Sequence, residues 1–135
     1  MNLDYTHLAM SIPRASFTEA YVSDVLRFYQ TAFGWMEIPE LRVDGERLTI
    51  HTSSRQYINI RASMEPMVTS GYEHLGFAVG SDEEFRTLHG NLTQMATDDE
   101  RVELSPIGFT DLGNVYSFRV AFLLPVALEI QYFSS

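Results

Sequence analysis

The chain has 135 residues, of which 45% are hydrophobic, 20% charged and 13% aromatic, a balance that fits one globular domain with its own core rather than a disordered or membrane-spanning chain. Eighteen Asp and Glu against nine Lys and Arg leave a net charge of -9, so the average surface repels phosphate backbones and anionic lipid, and no nucleic-acid partner is expected. The absence of cysteine removes disulfides, thiolate metal sites and cysteine nucleophiles together and fits a reducing compartment.

Tyr5-Thr6-His7-Leu8-Ala9-Met10-Ser11-Ile12 alternates, with Leu8, Met10 and Ile12 on one face and His7, Ala9 and Ser11 on the other, the period of a half-buried strand that Pro13 ends. Ser16-Phe17-Thr18-Glu19 has the spacing of a capping box. Val22, Val25, Leu26, Tyr29 and Phe33 then recur at helical intervals until Gly34. Strands are predicted over 36–43, 47–52 and 56–62, with Asp44-Gly45 as a hairpin turn, and residues 64–70 form a link. The order then repeats. Glu73-His74-Leu75-Gly76-Phe77-Ala78-Val79 alternates, Ser81 and Glu84 form a capping box, and a helix runs from Asp82 to about Met95 with Phe85, Leu88, Leu92 and Met95 on its apolar stripe. Strands over 101–105, 114–122 and 127–133 complete the second half, with an acidic, mobile connection over 96–100 and a glycine-containing loop over 106–113. Two βαβββ units of one pattern amount to an internal duplication.

The longest apolar stretch, residues 120–128, is too short to cross a bilayer and contains Pro125. Met1-Asn2-Leu3-Asp4-Tyr5 lacks a basic segment leading into an apolar run. A cytoplasmic location and no membrane partner are expected.

His7 and His74 hold matching positions in the two units, each on a strand face whose other members are small: Ala9 and Ser11, Gly76 and Ala78. Small neighbours leave a hollow before each imidazole, and the symmetric placement points to a shared pocket rather than to two unrelated structural histidines. Among the remaining histidines, His51 reads as a hairpin surface position or an acid/base group, and His89 as a half-exposed helical residue. Phe109, in the 106–113 loop, reads as a lid or as a loop anchor.

With His7-Leu8-Ala9-Met10, Arg27-Phe28-Tyr29 leading to Ala32-Phe33-Gly34-Trp35, Tyr57-Ile58-Asn59-Ile60, His74-Leu75-Gly76-Phe77-Ala78-Val79 and Leu128-Glu129-Ile130-Gln131 in this order and spacing, the chain resembles the vicinal oxygen chelate superfamily of glyoxalase, bleomycin-resistance and extradiol-dioxygenase relatives. The resemblance covers nearly the whole chain. It implies an α+β fold in one domain, two βαβββ modules of about residues 1–66 and 67–135 forming a curled, cup-shaped mixed sheet, and a homodimer. In metal-using relatives the ligands come from the first and last strand of each module, which implies His7, His74 and Glu129 as ligands of a divalent Fe, Ni, Zn or Mn ion, with Glu129 doubling as the catalytic carboxylate and no organic cofactor.

Two departures from the family pattern bear on this set. Asn59 stands where glyoxalase-like members carry an acid, and an amide oxygen brings no charge to offset an ion. Counted from Pro125, the family's ligand register lands on Gln131, whereas a shortened turn puts Glu129 there; both share one strand face, so parity leaves the choice open. Asn59, Gln131, Tyr116, Phe118 and Arg119 are the expected substrate-binding residues, Arg119 through its planar fork. Two functions stay open: a metal-dependent lyase, isomerase or dioxygenase acting on a small molecule, and a metal-free small-molecule binding protein without turnover. A cup of about 300 Å³ or more would separate both from a dimer whose cup is filled by its own side chains.

Overall fold

The computed structural model describes residues 1–134, which divide into two compact units, Met1–Val68 and a second that begins at Thr69. In the first unit β1 (His7–Pro13) is followed by a short 3-10 turn at Arg14–Ser16, α1 (Glu19–Phe33), β2 (Met36–Glu37), β3 (Arg47–His51) and β4 (Tyr57–Ser63). The sheet order is β1-β4-β3-β2, with β1 and β4 parallel and the other neighbours antiparallel. Alternation decides what each face holds. Met10, Ile12, Leu48, Ile50, Ile58 and Ile60 are buried on one side, as is the Val22, Val25, Phe28 and Tyr29 stripe of α1. Each such side chain contributes about 1.5–3 kcal/mol of burial. Trp35 lies buried beside the helix end, stacked 5.6 Å from Tyr29 and 4.8 Å from Phe33.

Two expectations for this unit are corrected. The strand over 36–43 is only two residues long, because Pro39 opens a 3-10 turn at Pro39–Leu41 that takes the chain out of the sheet. The cap of α1 is Thr18 rather than Ser16: Ser16 belongs to the preceding 3-10 turn, and the extended Thr18 accepts at its hydroxyl from the Tyr21 amide at 3.1 Å. The stop is as expected. Gly34 adopts φ 72° and donates its N–H to Gln30 O at 2.9 Å, a left-handed closure that a side chain would strain.

The second unit contains β5 (His74–Ala78), α2 (Asp82–Asp98), β6 (Glu103–Leu104), β7 (Gly108–Thr110), β8 (Val115–Ala121) and β9 (Ala127–Phe133). Its path is β5-β9-β8-β6, with β5 and β9 parallel and β7 pairing β8 from the side. Ser81 caps α2 as expected, accepting from the Glu84 amide at 3.1 Å, and Asp82, Glu83 and Glu84 set negative charge at the helix start, where the macrodipole favours it. Two corrections apply here as well. The helix continues through 96–98, so most of the expected mobile connection is helical. The expected loop contains a strand, and Phe109 pairs with Tyr116 across β7 and β8 and touches its ring at 4.6 Å, which makes it a strand residue rather than a free lid. Phe85, Leu92, Phe118, Val120, Leu128 and Ile130 form the buried side. Among the described residues, no helix is long and apolar enough to cross a membrane.

Candidate functional site

The face of the second sheet opposite its core carries the polar residues. Pairing places His74 beside Ala127, Gly76 beside Glu129 and Ala78 beside Gln131, while across the next strand Arg119 pairs with Glu129 and Ser117 with Gln131. The small side chains at 76, 78 and 127 leave His74, Glu129 and Arg119 room to meet. His74 Nε2 lies 3.3 Å from Glu129 Oε2, and Arg119 Nε lies 3.9 Å from Glu129 Oε1. Gln131 is one pair further along, with its Oε1 3.6 Å from where a Cβ on Gly76 would stand. Of the two rival residues on β9, Glu129 is therefore the one beside the histidine.

Two groups compete for the far nitrogen of His74. Its Nδ1 is 2.7 Å from Tyr72 O, which can only accept, and 2.8 Å from Arg119 Nη2, which can only donate. With the proton on Nδ1 the ring donates to Tyr72 O, and the Nε2 lone pair faces Glu129. With the proton on Nε2 the ring donates to Glu129, and Nδ1 accepts from Arg119. One ring cannot make both Nδ1 bonds in the same tautomer. Arg119 is held in place by its own backbone, whose N–H donates to Ser105 Oγ at 2.8 Å and whose carbonyl accepts from Ser105 N at 2.9 Å. The Tyr72 ring meets His74 edge-on at 5.8 Å.

Tyr116 and Phe118 share the opposite parity. Phe118 is buried against Phe85 at 5.1 Å and the His89 ring at 4.8 Å, and Tyr116 meets Phe109 and the Arg86 guanidinium. The expectation that they line the ligand site is thereby corrected: both pack on the side away from His74 and Glu129, because alternation along β8 separates them from Arg119. His89 is a structural residue whose Nε2 lies 2.9 Å from Ser105 O.

In the first unit the corresponding face holds His7, Tyr57 and His51 in one row, Ala9, Asn59 and Thr49 in the next, and Ser11, Arg61 and Arg47 in the third. The His7 ring stacks on Tyr57 at 4.7 Å and 3°, and its Nδ1 lies 2.9 Å from Thr6 Oγ1, which leaves Nε2 as the remaining donor atom. Asn59 Oδ1 accepts from the buried Thr49 hydroxyl at 2.8 Å. A hollow of about 360 Å³ opens on this face, lined by Ala9, Ser11, Asn59, Arg61 and Met67 among others. His51, read from the sequence as a surface position or an acid/base group, is half-buried, and its Nδ1 is buried without a partner among the described residues. Sequence reasoning gave Tyr57 no role, although its alternation with Ile58 would have put it on the His7 face; the carbonyl of Tyr72 carried no sequence signal at all.

No family model matches the sequence, and no curated protein matches it. Solved structures do. A lactoylglutathione lyase from Agrobacterium tumefaciens is 13% identical over 98% of this chain and 95% of its own, with a TM-score of 0.66. The fosfomycin resistance protein FosX from Listeria monocytogenes is 15% identical over 98% and 92%, with a TM-score of 0.68. This is the vicinal oxygen chelate fold. A glyoxalase/bleomycin resistance protein/dioxygenase from Alicyclobacillus acidocaldarius shares it at 17% identity, 98% and 92% coverage and a TM-score of 0.64. A FosX variant of this fold was crystallised with Mn(II) and a dihydroxypropylphosphonic acid.

In one of the two tautomers the second unit offers a divalent ion two donors, His74 Nε2 and the Glu129 carboxylate. Tyr72 O takes the Nδ1 proton, as the outer partner of a metal-bound imidazole commonly does, and Nε2 and the Glu129 carboxylate then face each other with lone pairs at 3.3 Å, a separation that two ligands of one ion can share. Among the described residues, no group of three or more His, Cys, Asp or Glu stands together to hold an ion.

Proposed function

We propose that the protein binds a small oxygen-bearing organic molecule at the His74 and Glu129 pair with the help of a divalent metal ion, as a lyase or isomerase. The observation that carries this reading is the 3.3 Å approach of Glu129 to His74 Nε2 while Tyr72 O engages Nδ1. When bound, such an ion acts as a Lewis acid toward the substrate's oxygens. Glu129 supplies the negative charge of the set and, through its second oxygen, a base for a substrate proton. Arg119 orients that carboxylate from the neighbouring strand and offers its remaining N–H groups to an acidic substrate group. Ring cleavage is less well supported, because the other histidine of this unit, His89, is bound to Ser105 O on the helix side. His7, with Nδ1 held by Thr6, has the same one-sided restraint within its own unit. A homodimer is proposed with the same reading; light scattering would give twice the 15.4 kDa of one chain.

A second reading rests on Arg119 itself. With Nδ1 accepting from Arg119 and Nε2–H donating to Glu129, the three side chains neutralise one another and no cation is needed, as in a metal-free binding protein.

Elemental analysis after anaerobic purification separates the two. Near-stoichiometric metal in the wild type, lost in His74→Ala and Glu129→Ala and kept in Gln131→Ala, is the expected result. Folded protein that takes up none of Fe(II), Ni(II), Zn(II) or Mn(II) would overturn the metal reading in favour of the second.

A further inference from the structure

The first unit holds a cation in an unexpected place. All nine basic residues of the chain are arginines, and Arg14, Arg27, Arg42, Arg86, Arg101 and Arg119 each stand within ion-pair distance of a carboxylate. Arg47, Arg55 and Arg61 do not, among the described residues, although acids outnumber bases two to one across the sequence; of these, Arg47 donates to Leu41 O, and Arg61 lines a hollow carrying further donors. The nearby Glu46, which feels the charge of Arg61, is bonded to Arg14. Arg61 also sits opposite Arg47 across β3 and β4, where directly paired like charges are destabilising, and Arg47 is itself tied by its Nε to Leu41 O at 2.8 Å.

The hollow beside Arg61 supplies what an anion needs. Its polar lining is Ser11, Asn59 and Arg61, with no Asp or Glu. Asn59 Oδ1 is occupied by the Thr49 hydroxyl, so the free part of its amide is the NH₂ with its two donors. Ser11 Oγ already accepts from Met67 N at 2.8 Å, which leaves its hydroxyl hydrogen to donate. Ala9 and Met67 add an apolar wall, and the volume of about 360 Å³ exceeds that of a small aromatic acid.

We propose that this hollow is a binding site for the carboxylate end of a small organic anion, held by the Arg61 guanidinium, the Asn59 amide and the Ser11 hydroxyl against the Met67 side chain. The net charge of -9 favours a cationic ligand over the average surface, and the site is a local exception to that field. It lies within the first unit and stands independently of whether the second unit takes up a metal.

The test is an NMR titration of the full-length chain with benzoate, and with benzamide as its neutral isostere, following backbone amides and arginine Nε–H signals. Benzoate is expected to shift Ser11, Asn59, Met67 and the Arg61 side chain, while benzamide at the same concentration shifts them little. Arg61→Gln is expected to weaken benzoate about tenfold or more, with Arg61→Lys falling between, since a charge-assisted fork exceeds a point charge at such a site. Arg61 is exposed, and the unperturbed remainder of the spectrum reports that each variant is folded. Equal shifts with benzamide, shifts centred on Arg119 instead, an unchanged affinity in Arg61→Gln, or no shift at millimolar benzoate would each overturn the proposal.

Discussion

Asn59 stands opposite Ala9 across β1 and β4 as Glu129 stands opposite Gly76 across β5 and β9, so these two residues hold the same address in their sheets. The third strand extends the match: Thr49 pairs with Asn59, and Arg119 with Glu129. One fold position has become a neutral hydroxyl–amide pair in the first unit and a charged guanidinium–carboxylate pair in the second. The duplication is thus visible in the register while the chemistry has separated.

Asn59→Asp places the acid of the second unit at the equivalent site of the first. The Thr49 hydroxyl still has an oxygen to bond, so the fold is expected to survive, but the amide donors are replaced by a negative charge two residues from Arg61 on the same face. Benzoate shifts at Ser11 and Met67 should disappear in the NMR titration. Wild-type affinity in this variant would mean that Asn59 does not face the hollow.

The start of α1 provides a clean comparison of two neighbouring hydroxyls. Thr18→Ala removes the acceptor for the Tyr21 amide and should cost about 1 kcal/mol, whereas Ser16→Ala, which caps nothing, should stay within about 0.5 kcal/mol of wild type. Urea denaturation read by circular dichroism measures both, and equal losses would contradict the observed cap.

Phe118 and Arg119 are adjacent in sequence and belong to opposite faces. Truncating Phe118 to Ala empties a fully buried site against Phe85 and should cost about 3–5 kcal/mol. Arg119→Gln should leave the melting temperature near that of wild type and change instead the environment of the His74 ring, visible in its imidazole carbon and nitrogen shifts. A severe loss of stability in Arg119→Gln would show that Arg119 is a structural rather than a positioning residue.

The Arg14–Glu46 pair sets a pH dependence. A hydrogen bond from Arg14, reinforced by its charge, holds the Glu46 carboxyl below the ordinary carboxylate range, so the folded state keeps this proton off to lower pH than the unfolded chain does. The small stabilisation is then present above the ordinary pKa of a glutamate and is lost as pH falls through the lowered value of Glu46. Carbon-detected titration of the Glu46 side chain should place its midpoint below that of an exposed glutamate, and Arg14→Ala should bring it back up. A midpoint unmoved by Arg14→Ala would count against the pair.

Much of the fold is legible in the sequence because its signals are local. The alternation around His7 and His74, the stripe of α2, the Ser81 cap and the Gly34 stop each concern residues within a few positions of one another. The misreadings arise where neighbours compete. Thr18 outbids Ser16 once a 3-10 turn has taken Ser16, Pro39 cuts a run that alternation alone would extend, and Gly108-Phe109-Thr110 is too short to read as a strand before β8 is there to pair with it. The candidate site divides in the same way. Parity along β9 groups Glu129 with Gln131, and only the pairing with β5, about fifty residues away in sequence, puts Glu129 beside His74. Parity along β8 was available and separates Phe118 from Arg119. The Tyr72 carbonyl was beyond reach, since a backbone oxygen has no residue type to announce it.

The parallel pairing of first strand to last also orders events in time. Hairpin contacts such as β3 with β4 or β8 with β9 close short loops and form early, whereas β1 must find β4, and β5 must find β9, across about fifty residues of chain whose entropy has to be surrendered at once. His7 and His74 ride on those late-arriving strands. The approach of Glu129 to His74 therefore depends on closing the longest loop of its unit, since the two side chains are carried by strands that meet only through that parallel pairing.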